Sequence, residues 1–252
     1  MASKKQISKI KELAAQGQSV NTIKEELNIP KSTVYYHFKK EVGQKQKENA
    51  LIIPKDEETI GELCGIFAGD GNFHKKKEGQ YRIRIFLNLN DDYWEDLADF
   101  LEKELEKRPN IYHYEDKSRA TLDYSSKELY ELFKNRLDWG ENKTRTVKLA
   151  NIDSLTEEFK VGFVRGLIDT DGHKETKFRR YIYGTVSKEL RNNFSKILDE
   201  LDIDHTKYCE ESKKDEWPNM HKVRISGNSA EKFSNKIRPR HPKKQDWEPN
   251  NI

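Results

Sequence analysis

Two stretches of this chain carry small residues at every fourth position. Residues 60–71 read IGELCGIFAGDG, with Gly61, Gly65 and Gly69 in phase. Residues 161–172 read VGFVRGLIDTDG, with Gly162, Gly166 and Thr170 in the same places. On a helix, residues at i and i+4 share a face, so each stretch predicts a helix with a smooth stripe along one side. Glycine inside a helix costs about 1 kcal/mol relative to alanine. In-phase glycines in two copies therefore imply that the helices pack against each other, backbone against backbone. Both stretches end in Asp-Gly, which would bring Asp70 and Asp171 together at one end of the pair.

The spacing between the copies recurs elsewhere. Asp70 and Asp171, Gly65 and Gly166, and Ser125 and Ser226 all stand 101 positions apart. A repeated offset of this kind argues for an internal duplication. The first motif is followed by a lysine run, Lys75-Lys76-Lys77, which suggests an exposed loop. Residues 81–87 alternate and are rich in β formers, predicting a strand with Arg82 and Arg84 on one face and Ile83 and Ile85 on the other. Such a face suits a sheet laid on a polyanion. Residues 94–105 form an amphipathic helix, 111–114 and 120–124 two strands, and 127–137 a second helix. The order returns after 153: a motif helix, a basic strand over 179–186, a helix over 190–201, strands around Tyr208 and over 223–226, and a helix over 230–237. The expected fold class is α+β, a pseudo-two-fold domain of two αββαββα repeats preceded by a small all-α module.

Composition limits the function classes. Of 252 residues, 34% are hydrophobic and 36% charged, so the core is modest and the surface densely charged. A net charge of +3 means that nucleic-acid binding has to come from local segregation of charge. Cys64 and Cys209 give neither a disulfide framework nor a cysteine zinc site, and Cys64 reads as a buried thiol. No apolar run spans a membrane and no signal-peptide core is present, so an intracellular, soluble protein is expected.

Residues 1–41 predict three short helices. Ile7, Ile10, Leu13 and Ala14 mark the first, which Gly17 stops. Ser19 caps the second, and Pro30 opens the third. The arrangement resembles a helix-turn-helix DNA-binding module, with Lys31, Ser32, Thr33, Tyr35, Tyr36, Lys39 and Lys40 on the exposed side of its recognition helix. Ten Lys against five Glu between residues 4 and 48 agree with that reading. Residues 42–57 are a polar linker, within which Leu51-Ile52-Ile53 is expected to dock on the following domain.

The two motif stretches also carry a family resemblance. Residues 63–71, LCGIFAGDG, and 164–172, VRGLIDTDG, resemble the motif of LAGLIDADG homing endonucleases of the single-chain, two-repeat kind. The first copy has Cys64, Ala68 and Gly69 in the second, sixth and seventh slots, and the second departs at Val164, Arg165 and Thr170. The resemblance covers the chain from about residue 60, with repeats over 58–150 and 151–252. It implies that Asp70 and Asp171 bind metal, Mg2+ with Mn2+ as a substitute, beside the carbonyls of Gly69 and Thr170. It implies lysines near the scissile phosphates. Lys143 and Lys244 fit, each 73 positions past its Asp. It implies sheets straddling the major groove of double-stranded DNA. The candidate contacts are Lys75, Lys77, Arg82 and Arg84 in the first repeat and Lys174, Lys177, Arg179 and Arg180 in the second. Asp169 faces Ala68 in the alignment of the copies, so it reads as a capping or packing residue. His74 and His173 read as solvated, and His113 as part of a strand. The expected activity is metal-dependent, site-specific double-strand cleavage by a monomer. The alternative is a non-cleaving DNA-binding regulator or an RNA maturase on the same scaffold.

Overall fold

The computed structural model of the chain describes residues 3–42, 51–74, 81–212, 214 and 217–245. They fall into two units, 1–50 and 51–252. The first holds helices α1 (Lys4–Ala15), α2 (Val20–Leu27) and α3 (Lys31–Val42). Ser3 and Gln6 form a capping box at the start of α1, and the Thr22 amide donates to Ser19 Oγ at the start of α2. Asn28 ends α2 in the left-handed region, with φ 49°. Ile10, Leu13, Ala14, Ile23, Ile29, Val34 and Phe38 close the core. On α3, Lys31, Ser32, Tyr35, Tyr36, Lys39 and Lys40 are exposed and Thr33 is half-buried.

The second unit begins with Leu51 and Ile53 packed on its core and with the Ile52 amide bonded to the Leu105 carbonyl at 3.0 Å. Its first repeat runs α4 (Glu57–Gly69), β1 (Gly71–His74), β2 (Arg82–Asn88), α5 (Tyr93–Leu105), β3 (Asn110–Tyr114), β4 (Arg119–Ser125) and α6 (Lys127–Arg136). A short link holds β5 (Leu137–Asp138), α7 (Lys143–Thr146) and β6 (Lys148–Leu149). The second repeat runs α8 (Glu157–Asp171), β7 (Gly172–Glu175), β8 (Arg180–Thr185), α9 (Lys188–Glu200), β9 (Thr206–Glu210), β10 (Met220–Ser226) and α10 (Asn228–Ile237). The sheets have the same antiparallel order, β1-β2-β4-β3 and β7-β8-β10-β9. The fold is thus α+β with two αββαββα repeats.

Three details refine or correct the sequence reading. Strands β1 and β7 follow the motif helices directly, supplying the first strand of each αββαββα repeat at residues that carry no strand pattern of their own. They are four residues long and gain their conformation from pairing with β2 and β8. Strand β8 starts at Arg180 because Arg179 turns the chain, with φ 43°. The offset between repeats is not constant. It is 101 at β1/β7, β4/β10 and α6/α10, but falls to 95 at α5/α9, where Tyr93 matches Lys188. The second repeat has a shorter β7–β8 connection and a longer β9–β10 connection, which restores the spacing.

Helices α4 and α8 form the centre of one continuous apolar core. A Cβ added to Gly61 would lie 2.0 Å from the Phe159 carbonyl oxygen, and one added to Gly162 1.9 Å from that of Glu58. Gly65 and Gly166 meet in the same way one turn further on. The glycine stripes are therefore a backbone contact. A buried ion network crosses the same interface. Glu62, only 1% exposed, accepts from Arg165 Nη1 at 3.0 Å and from Arg240 Nε at 2.6 Å. Arg165 also donates to Glu58 and, at 2.7 Å, to the Ile237 carbonyl. This explains the arginine in the second motif, which would otherwise be an unpaired buried charge.

Gly162→Ala should destabilise the protein by more than about 2 kcal/mol, because overpacking against rigid backbone outweighs the gain in helix propensity. Gly140→Ala, where an added Cβ meets nothing closer than 3.6 Å, should change little. Urea unfolding midpoints check this, and equal midpoints for the two variants would refute the backbone contact.

Candidate active site

Helices α4 and α8 run in the same direction, since Gly61 meets Phe159 and Gly69 meets Thr170. Their C-terminal ends therefore converge. Asp70 caps α4, and its carbonyl accepts the Phe86 amide of β2 at 3.1 Å, which ties this end to the first sheet. Asp171 is the last residue of α8. A Cβ on Gly69 would lie 3.1 Å from Asp171 Oδ2 and 2.2 Å from Thr170 Oγ1. The Asp171 carboxylate thus reaches over the end of the neighbouring helix, and the two acids share one site. Thr170 is held by its hydroxyl, which donates to the Gly166 carbonyl at 2.9 Å.

The two lysines occupy equivalent positions. Lys143 Nζ donates to the carbonyls of Phe67, Ala68 and Gly69 at 2.8, 2.7 and 3.2 Å. Lys244 Nζ donates to those of Ile168, Asp169 and Thr170 at 3.0, 2.8 and 3.4 Å. The last carbonyls of a helix lack intrahelical donors and carry its partial negative charge, so an ammonium belongs there. Gly69 and Thr170 accept the longest bond of each set. A carbonyl oxygen has two lone pairs, so both can still serve a second partner.

Asp169 is buried and is not at the acid pair. It accepts the Arg240 and His241 amides at 2.9 and 3.1 Å, a packing role on the turn that leads to Lys244. The groups around it have no signature in the sequence. Lys243 bonds Asp91 at 2.8 Å, and the His241 ring stacks on Tyr93 with centroids 4.4 Å apart. Only the isolated acid in the sixth motif slot hinted that the two ends differ. A cleft of about 530 Å³ opens beside Asp70 and Thr170, walled by Tyr93, His173, His241 and Lys244.

The candidate DNA contacts are spread over the sheets. Arg82 and Arg84 sit on the polar face of β2 and both bond Asp123 of β4, at 2.6 and 3.0 Å. That carboxylate offsets part of their charge and fixes their direction. Arg180 bonds Glu175 at 2.9 Å, and Lys174 bonds the Gln245 carbonyl. Lys177 lies over the exposed Phe178 ring. Arg179 stands apart, drawn toward Glu231 on α10. Lys75 and Lys77 lie outside the described residues. Sequence reasoning missed Arg224, Lys207 and Tyr208, which line a shallow basic hollow with Arg180. His113 lies in β3 against Trp94.

Burial is the main influence on the acids. It pushes the Asp70 carboxyl up to about 7, with the Asp171 charge adding to it and Lys244 and Lys143 opposing it. It pushes Asp171 up to about 6 against the two lysines. The Asp171 residue is also exposed to solvent on its outer side. Lys143 is lowered to about 8 by burial, against the pull of both acids. Among the described residues no cluster of three or more His, Cys, Asp or Glu side chains could hold a metal ion. The donor set is instead two carboxylates and two backbone carbonyls, all oxygen, with room left for water. That set fits a hard divalent cation of the magnesium kind.

An unfolded aspartate titrates near pH 3.9. The folded pair holds its protons to higher pH, so the folded state binds more protons in between. Stability should therefore fall as pH rises from about 4 to about 7 and stay low above that. Asp70→Asn removes the repulsion and should raise Tm at pH 8, with the gain vanishing near pH 4. Millimolar Mg2+ should raise Tm at pH 8 in the wild type more than in the variant. Scanning calorimetry checks both, and identical Tm values at pH 8 without metal would refute the strained pair.

Comparison with known proteins agrees with this geometry. A family model described as a LAGLIDADG-like domain matches residues 158–238. The homing endonuclease I-DmoI of Desulfurococcus mucosus is 28% identical over 151 residues, covering 57% of this chain and 71% of the relative. A structure of I-DmoI in complex with DNA and Ca shares the fold, with TM-score 0.54 and 24% identity, over 77% of this chain and 94% of that one. Full-length DUF199/WhiA from Thermatoga maritima aligns with TM-score 0.52 and 16% identity, over 74% of this chain and 57% of its own. Two motif helices joined by their glycine stripes and two matched sheets agree with these comparisons: the chain carries a LAGLIDADG-like domain over residues 158–238 and is similar in sequence and fold to the homing endonuclease I-DmoI.

Proposed function

We propose that the chain is a site-specific DNA endonuclease that hydrolyses one phosphodiester bond in each strand of a duplex with Mg2+, or Mn2+ in its place. The observation that carries this reading is the acid pair at the converging ends of α4 and α8, with a lysine at each end. The relative I-DmoI appears with DNA and Ca in one structure and with DNA and Mn in another. Asp70 and Asp171, with the Gly69 and Thr170 carbonyls, would hold the cation. Bound there, it would neutralise charge at phosphorus and lower the pKa of a bound water. The protein groups do the rest. Asp70 and Asp171 fix where the cation would sit, and through it where the phosphate could approach. Lys143 and Lys244 supply fixed positive charge beside it, which favours the transition state as negative charge grows. The polar sheet faces, with Arg82, Arg84, Arg180 and Arg224, would lie along the phosphate backbone and base edges. Both repeats are in one chain, so the protein would act as a monomer. Residues 1–41 would add a helix-turn-helix, with α3 reading a major groove through Lys31, Ser32, Thr33, Tyr35, Tyr36 and Lys39.

One observation favours a second reading, a non-cleaving DNA-binding regulator. Both lysine ammonium groups are already bonded to three helix carbonyls each. A purely structural lysine would look the same.

Asp70→Asn and Asp171→Asn should each reduce cleavage by at least about a hundredfold while duplex affinity holds or improves, because one charge facing phosphate is gone. The assay is plasmid linearisation on a site selected from a randomised duplex library, with Mg2+ and then Mn2+. A wild type that binds its selected site tightly and cuts in neither metal would establish the regulator instead.

Deleting residues 1–48 should weaken duplex binding and flatten its salt dependence, since fewer lysine–phosphate contacts release fewer counterions. Cutting of a tightly bound site should persist. Anisotropy titrations at several salt concentrations measure this, and an unchanged slope would remove the helix-turn-helix assignment.

A further inference from the structure

The two lysines reach matched places through unrelated supports. In repeat 1 the arm is braced locally. The Gly140 amide donates to Thr146 Oγ1 at 2.9 Å, Thr146 Oγ1 donates to the Asn142 carbonyl at 2.7 Å, and Trp139 packs on Phe67. In repeat 2 the arm is gripped by side chains from outside it. Asp169 takes the Arg240 and His241 amides, one on each carboxylate oxygen. Glu62, from the first repeat, takes the Arg240 guanidinium at 2.6 and 3.0 Å. Asp169 is 1% exposed, and Ala68 stands in its place in repeat 1, with no side-chain acceptor.

The Asp169 carboxylate thus fixes two consecutive amides three and four residues before Lys244. The main-chain carbonyl of Asp169 also accepts from Lys244 Nζ at 2.8 Å. Side chain and main chain of one residue set both ends of the arm. We propose that Asp169 is a positioning residue for Lys244, so that one half of the site depends on a carboxylate for which the other half has no counterpart. The placement of Lys244 follows from the bonding alone; its consequence for cleavage rests on the endonuclease reading. Loss of Asp169 would then impair cutting of one strand and turn a double-strand cutter into a nicking enzyme.

Two measurements test this on the full chain. The first needs no cleavage. Brief acetic anhydride treatment, read by peptide mass spectrometry, reports how well each lysine is held. In Asp169→Ala, acetylation of Lys244 should rise several-fold while Lys143 stays protected. Asp169→Asn, which keeps volume and one acceptor, should fall between. Unchanged Lys244 labelling in both variants would overturn the proposal. So would a parallel rise at Lys143, which marks general loosening. The second measures nicking of a duplex labelled on each strand. One strand should be cut at least about tenfold more slowly in Asp169→Ala, as expected for a displaced catalytic group, while the other holds. Adding Lys244→Ala should cost the slowed strand nothing more. Equal slowing of both strands would refute the positioning role. A wild type that cuts neither strand would refute the endonuclease reading, and the labelling result would still decide where Asp169 acts.

Discussion

The approach of α4 to α8 governs everything else in the larger unit. At Gly61 and Gly162 the backbones are so close that a single added carbon would lie within 2.0 Å of a carbonyl oxygen. Two parallel helices this close point their negative dipole ends at one place. The chain then adds two carboxylates there, Asp70 and Asp171. Such a concentration of negative charge is unfavourable alone, and burial makes it more so. The lysines answer part of it by bonding the terminal carbonyls, three on each helix. The remaining excess sits on the carboxylates, which is where a cation would be drawn.

How much of this could be read from the sequence follows from what each feature depends on. The motif helices, their pairing and the meeting of the two acids were legible because the glycine stripe is a local pattern with one economical cause. The second strand was legible because Arg82 to Leu87 alternates. Strands β1 and β7 were not, because four residues such as GHKE carry no β pattern and owe their shape to pairing with β8. The drop in offset from 101 to 95 was hidden because the motif and the final helix restore it. Lys143 and Lys244 could be placed by spacing. Their partners could not, because a lysine that bonds helix carbonyls and one that faces solvent look alike in sequence.

The basic face shows a similar limit. Arg82 and Arg84 were expected on one side of a strand, and they are there. Their shared partner Asp123 lies 39 positions beyond Arg84, and it reaches them only through the pairing of β2 with β4. A charge count sees two cations and one anion. The structure shows two guanidinium groups oriented by a carboxylate buried beneath them, which would lower the entropy lost if they met a phosphate. Arg179 shows the reverse: its charge is in the sequence pattern, but a left-handed turn sends it to α10.

The two repeats are alike in backbone and unlike at their contact. Glu62 of the first stands where the second has Phe163, and Arg165 of the second stands where the first has Cys64. Paired with each other, they place Glu62 against Arg165 and Arg240. Two copies of the first repeat paired by their stripes would bury Glu62 against Cys64 with no cation. Two copies of the second would bury Arg165 with neither Glu62 nor Glu58. Removing one partner of a buried pair typically costs about 3–5 kcal/mol, so each repeat selects the other over a copy of itself. The ion network therefore adds specificity to a stripe that would otherwise pair indiscriminately. It also fixes which half carries the external grip on the lysine arm, since Glu62 holds Arg240 beside the amides that Asp169 accepts. The asymmetry that makes the halves choose each other is the same one that makes their two lysines inequivalent.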